Sequence, residues 1–181
     1  MSDLVRISKF LSLVLRHRPE KIGLDLDENG WTSISELIEK ARSAKVFFTR
    51  EILTEVVETN DKKRFVVSED GLRIRAAQGH SIEIDLDLAP QPPPHTLFHG
   101  TASSAISSIR SQGLVRGRRH HVHLSTNEET AVKVGQRHGK PVVLVVRSGE
   151  MHEAGIEFFV SDNGVWLTET VPTKYIDFPV E

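Results

Sequence analysis

The sequence predicts an α+β protein built as two lobes, and three patterns predict it. Ala89-Pro90-Gln91-Pro92-Pro93-Pro94-His95 places four prolines in five residues. Such a run continues neither a helix nor a central strand and favours a stiff spacer. Before it, apolar residues recur at helical spacing and end in a hairpin pattern. After it, short strand-like runs alternate with two helical stretches. The division is therefore a first lobe over 1–89, a proline-rich linker over 90–95 and a second lobe over 96–181.

In the first lobe, Leu4, Ile7, Phe10, Leu11, Val14 and Leu15 fall on one helical face, and Pro19 stops that helix near Arg18. Ser33-Ile34-Ser35-Glu36 is a capping box that opens a second helix running to about Ser43. Thr49 caps a third, from Arg50 towards Asn60, with Ile52, Leu53, Val56 and Val57 as its apolar side. Phe65-Val66-Val67, the turn Ser68-Glu69-Asp70-Gly71 and Leu72-Arg73-Ile74-Arg75 form a hairpin. Three helices followed by a hairpin is the outline of a winged helix, a scaffold that by itself says little about function.

In the second lobe, strands are expected over 96–99, 121–125, 142–147, 156–160, 165–168 and 175–178. A helix over 103–112 ends at Gly113. Thr126-Asn127-Glu128-Glu129 reads as a capping box for another helix towards Gly135. This is a compact α+β domain whose strand order the sequence does not reveal.

Composition narrows the function. The 181 residues are 38% hydrophobic, enough for proper cores, and include no Cys, which excludes disulfides and thiolate zinc sites. Met1-Ser2-Asp3-Leu4 leads directly into a charged amphipathic pattern and not a signal peptide. No apolar run approaches the roughly 18 residues of a membrane span. A soluble, cytoplasmic, monomeric protein without a membrane partner is expected. The net charge of −2 argues against bulk electrostatic binding of nucleic acid. Yet between Asp87 and Glu128 there is no acidic residue, while four Arg and five His fall in that interval. Such a local field suits an anionic ligand; the alternative is a solvated basic loop.

Arginine and histidine recur in clusters without a partnered Ser, Cys or Asp nucleophile and without a carboxylate pair for hydrolysis. Guanidinium matches phosphate bidentately and stays charged at cellular pH, so phosphate chemistry is the first reading. Arg16-His17-Arg18 ends the first helix; it is either a cationic cap on the helix dipole or part of a site. Arg73 and Arg75 share strand parity, either as an exposed polar face or as phosphate ligands. His121 and His123 share a strand face, but no third ligand follows at metal spacing, and Arg119 nearby disfavours a cation; no metal is expected. In His99-Gly100-Thr101, which the sequence places at the end of a strand, the glycine permits close backbone approach. Neither a GxGxxG nor a GxxxxGK[ST] motif is present.

Taken in order, these clusters closely resemble the NAD-dependent tRNA/RNA 2′-phosphotransferase family. The resemblance rests on Ser8-Lys9-Phe10-Leu11-Ser12-Leu13-Val14-Leu15-Arg16-His17, Gly30-Trp31, Ile74-Arg75-Ala76-Ala77-Gln78-Gly79-His80-Ser81 and Leu97-Phe98-His99-Gly100-Thr101. It continues through Gly113-Leu114, Arg119-His120-His121-Val122-His123-Leu124-Ser125 and Val171-Pro172 with Tyr175-Ile176. One departure is Gly117, where the family often has Met.

The resemblance implies a winged-helix first lobe that binds RNA and a second lobe similar to ADP-ribosyltransferases. It implies NAD as a consumed co-substrate, an RNA with an internal 2′-phosphate as partner, and removal of a tRNA splice-junction phosphate as the family's known role. Its catalytic tetrad carries over onto Arg16, His17, Arg75 and Arg119, and its NAD contacts onto His99, Gly100, Thr101, His123 and Ser125. Many ADP-ribosyltransferases place a Glu on a late strand to activate a hydroxyl acceptor; this chain has Val165 there, which suits an acceptor that is already anionic. The competing readings are a mono-ADP-ribosyltransferase acting on protein or terminal nucleic-acid phosphates, and a winged-helix regulator. Glu51, Glu55 and Glu58 on the third helix would repel a duplex backbone and disfavour the regulator.

Overall fold

A computed structural model describes residues 3–117 and 119–179. Arg118, one of the four arginines in the acid-free interval, lies outside the described residues. The chain forms two compact units, residues 1–87 and 88–181.

The first unit opens with α1 (Asp3–Arg16), which buries Ile7, Leu11, Val14 and Leu15. Pro19 cannot extend it and instead starts a 3-10 turn, Pro19–Ile22, ended by Gly23 at φ 64°. A two-residue strand, β1 (Thr32–Ser33), leads into α2 (Ile34–Ser43), where the Ser33 hydroxyl accepts from the Glu36 N–H at 3.5 Å. Thr49 caps α3 (Arg50–Glu58) in the same way, through the Ile52 N–H at 3.4 Å. The hairpin pairs β2 (Phe65–Val67) with β3 (Arg73–Ala76) in antiparallel register, Val66 opposite Arg75, and its turn ends at Gly71 with φ 70°. β1 adds to the other edge of β3, giving the order β1-β3-β2. Phe65, Ile74 and Ala76 pack into one core with Leu11, Leu15, Leu37 and Leu53. That alternation sends Arg73 and Arg75 to the opposite sheet face.

The second unit is a set of small antiparallel sheets. β4 (Leu97–Ala102) runs on through a 3-10 turn, Ser103–Ala105, into α4 (Ile106–Gln112) and β5 (Leu114–Val115). There follow β6 (Val122–Leu124), α5 (Glu128–Gly135), β7 (Pro141–Val146), α6 (Ser148–Glu153) and β8 (Phe159–Val160). The chain closes with β9 (Trp166–Thr168), β10 (Thr170–Val171), a 3-10 turn Thr173–Tyr175 and β11 (Ile176–Asp177). The sheets are ordered β11-β7-β4, β6-β9-β8 and β10-β5. A bridge between Phe98 and Ser125 ties β4 to the segment after β6. Leu97, Leu124, Leu144, Met151, Phe158 and Leu167 form the core.

Several local readings change. The strand expected over 96–99 continues to Ala102, so His99-Gly100-Thr101 lies inside β4 rather than at its end. The cap of α5 is Asn127 and not Thr126: the Asn127 side chain accepts from the Thr130 N–H at 2.8 Å. The run over 156–160 pairs as a strand only at Phe159–Val160, against Trp166 and Leu167. The proline segment is held to the second unit. The Gln91 N–H donates to the Phe158 carbonyl at 2.8 Å, and the Ser148 hydroxyl donates to the Pro94 carbonyl at 2.7 Å.

Candidate functional site

In the first unit the site residues gather about the chain that leaves β3. Arg16 is the last residue of α1, and its Nη2 donates to the Arg64 carbonyl at 3.3 Å. The same carbonyl accepts from the Ala77 N–H at 2.9 Å, so α1 meets the hairpin at its open end. Four residues on, the Ser81 N–H donates to the Arg16 carbonyl at 2.9 Å, and the Ser81 hydroxyl lies 2.9 Å from His17 Nδ1. Between them Gly79 takes φ 84°, a turn that an L side chain resists, and His80 is buried. Arg16 and His17 are thus more than a helix-dipole cap: main chain and side chain both tie them to 77–81.

Arg75 is buried, with its guanidinium 4.7 Å from the centre of the Trp31 ring. Its Nη1 also reaches the Asn29 carbonyl at 3.5 Å. Arg73 lies over the same ring at 5.4 Å and pairs with Asp27 at 3.7 Å. Shared parity therefore does place both arginines on one face, but only Arg73 is exposed. The loop that supplies Trp31 is set locally. Asp27 Oδ1 accepts from the Asn29 and Trp31 N–H groups at 3.0 and 2.8 Å, and Gly30 takes φ 82°.

Trp31, Arg64 and Ser81 are residues to which the sequence assigns no role. Trp31 precedes a strand too short to be read from propensity. Arg64 faces Ala77 across the ladder, two residues from the Val66–Arg75 pair, and so shares the face of Arg75 by parity. Its signal was its position immediately before the Phe65-Val66-Val67 strand.

In the second unit His99, Thr101, Arg119, His123 and Ser125 converge. His99 Nδ1 lies 3.0 Å from the His123 carbonyl. A carbonyl only accepts, so Nδ1 carries the proton and Nε2 of the neutral ring is an acceptor. Arg119 Nη1 donates to His123 Nδ1 at 3.2 Å. Guanidinium only donates, so in the neutral His123 ring the proton is on Nε2. Two neighbouring imidazoles thus present opposite faces, one an acceptor and the other a donor.

Desolvation is the largest influence on His99 and pushes its pKa below the ordinary value; the His123 carbonyl opposes this, and the Arg119 charge adds to the lowering. Ser125 exchanges both backbone hydrogen bonds with Phe98, each 2.8 Å, which seats it beside His99. Thr101 follows on the His99 side of β4 and is buried. Gly100 points the other way: a Cβ there would lie 1.7 Å from the Ala131 carbonyl oxygen. Its close approach is to α5. His121 packs against Phe159 at 5.6 Å between ring centres. Among the described residues no group of three or more His, Asp or Glu is arranged to hold a metal.

Guanidinium groups, acceptor and donor imidazoles and small hydroxyls define a class of site suited to polyanionic, phosphate-bearing ligands. The comparisons sharpen this. Residues 2–170 match the family described as RNA 2′-phosphotransferase, Tpt1 / KptA family. A Flavobacterium johnsoniae protein named "Probable RNA 2′-phosphotransferase" is 56% identical over 95% of this chain and 94% of its own length. Proteins of the same name from Acaryochloris marina and Burkholderia pseudomallei are 55% and 53% identical, covering 96% of this chain and 96% and 95% of their own lengths. The chain belongs to the RNA 2′-phosphotransferase family.

Proposed function

We propose that this chain removes an internal 2′-phosphate from RNA and transfers it to NAD. Membership of the family over residues 2–170 carries the proposal. In this reading the first unit is a winged helix that receives RNA and the second is an ADP-ribosyltransferase-like lobe that binds NAD.

NAD supplies an electrophilic ribose carbon with nicotinamide as its leaving group. In the first step an oxygen of the RNA 2′-phosphate attacks that anomeric carbon and nicotinamide departs. In the second, the adjacent ribose 2″-hydroxyl attacks phosphorus, and the bond between phosphorus and the RNA 2′-oxygen breaks. The hydroxyl proton passes to the departing 2′-oxygen, giving RNA with a free 2′-hydroxyl and ADP-ribose 1″,2″-cyclic phosphate.

The residues fit these demands. Nε2 of His99 is an acceptor and can take a hydrogen bond from a ribose hydroxyl or amide, with Thr101 and Ser125 beside it. Gly100 leaves β4 without a side chain at that point, and His123 holds Arg119. The second step builds charge at phosphorus, where Arg16, Arg75 and Arg119 supply fixed cations. His17 moves the proton or donates a key hydrogen bond. No step calls for a metal.

A phosphorus label on the RNA 2′-position tests the proposal. Label should leave the RNA only when NAD is present and appear in a small NAD-derived product. Release of inorganic phosphate without NAD would overturn it.

A further inference from the structure

The reach of Ser81 to both site residues at the end of α1 exceeds what a chain turn requires. Its N–H holds the Arg16 carbonyl at 2.9 Å, and its hydroxyl holds His17 Nδ1 at 2.9 Å. The segment that brings Ser81 there is fixed at both ends. Ala77 is bonded to Arg64, Gly79 supplies the turn at φ 84°, and the buried His80 ring lies against Gly30. His17 itself is exposed.

We propose that Ser81 is a positioning residue for His17, fixing its ring plane by engaging Nδ1. This rests on the functional reading above for His17, but the geometry it asserts exists in the free protein. When the ring is neutral, the Ser81 hydroxyl can donate to Nδ1 or accept from Nδ1–H. When the ring is protonated, the same hydroxyl accepts from Nδ1–H. In every state Nδ1 stays engaged by Ser81 and the ring plane is held.

Ser81→Ala deletes the hydroxyl but keeps the backbone bond to Arg16, so the loop keeps its anchor. Ser81→Thr keeps both. Two readouts are needed: the ¹⁵N resonances of the His17 ring in the full-length protein, and steady-state kinetics with 2′-phosphorylated RNA and NAD. In wild type the Nδ1 resonance should be that of a hydrogen-bonded ring nitrogen. In Ser81→Ala that resonance should shift as the hydrogen bond is lost, and in Ser81→Thr it should return.

The turnover number of Ser81→Ala should fall about five- to ten-fold, the scale of one modest hydrogen bond, with KM for NAD unchanged and Ser81→Thr near wild type. Identical His17 resonances in wild type and Ser81→Ala would overturn the proposal, as would an unchanged turnover number. If wild type forms no NAD-derived product, the functional reading fails separately, and the ring resonances still decide whether Ser81 holds His17. A Ser81→Ala protein that unfolds would assign Ser81 to folding and equally overturn a positioning role.

Discussion

At Arg75 the guanidinium lies over the Trp31 ring and is bonded to the Asn29 carbonyl, so it is held before any ligand arrives. A lysine has no plane to stack and no fork to donate. Arg75→Lys is therefore expected to lose transfer nearly as completely as Arg75→Ala, by about 10²–10³-fold. Kinetics beside thermal melts check this. A melt that falls while transfer per folded molecule holds would make Arg75 a packing residue and remove it from the tetrad. His99 gives a second prediction. Its pKa is lowered in the fold, chiefly by desolvation, so the folded protein resists its protonation. The stabilising contribution is present above the ordinary imidazole value of about 6.5 and is lost as pH falls below it towards the folded value. Unfolding midpoints measured across that window should drop more steeply for wild type than for His99→Gln. Parallel curves would show that His99 is not held neutral.

At the scale of elements, packing explains the glycine of His99-Gly100-Thr101. Gly100 is in mid-strand, and an added Cβ would strike the Ala131 carbonyl of α5. Gly100→Ala should push α5 off β4 and destabilise the protein by about 1–3 kcal/mol, the usual cost of overpacking. A denaturant melt reads this directly, and an unchanged midpoint would mean that α5 moves freely. The legible elements were those with strong local signals: the apolar face of α1, the Ser33 and Thr49 caps, and the hairpin around Gly71. What escaped was set by tertiary contact. β1 is two residues long and exists because β3 offers it an edge. α6 begins at Ser148 because the proline segment supplies carbonyls for Ser148 and Gly149. The Arg and His clusters were legible as a pattern of types, and the proposed tetrad came from the family resemblance; the partners of its members, Ser81 for His17 and Trp31 for Arg75, are long-range contacts that spacing does not reveal.

For the whole molecule, the proposed chemistry divides its residues between two steps. Joining a phosphate that is already anionic to an electrophilic ribose needs orientation. Transfer at phosphorus needs added cationic stabilisation. Arg16→Ala, His17→Ala and Arg119→Ala are therefore expected to accumulate ADP-ribosylated RNA, visible as a slower band in single-turnover gels. His99→Ala should leave unreacted RNA. If all four leave only substrate, this division of labour is wrong. Full activity in excess chelator is also expected, because the charge that a metal would supply comes from guanidinium groups; strict dependence on magnesium or zinc would contradict that.

The central claim is the transfer of an RNA 2′-phosphate to NAD by this chain. The most direct measurement incubates the purified protein with a short 2′-phosphorylated RNA and NAD and follows all products by mass. The account predicts nicotinamide, 2′-hydroxyl RNA and ADP-ribose 1″,2″-cyclic phosphate in equal amounts. Stable ADP-ribosyl adducts on protein or RNA ends, with no cyclic phosphate, would contradict it and place the chain among mono-ADP-ribosyltransferases.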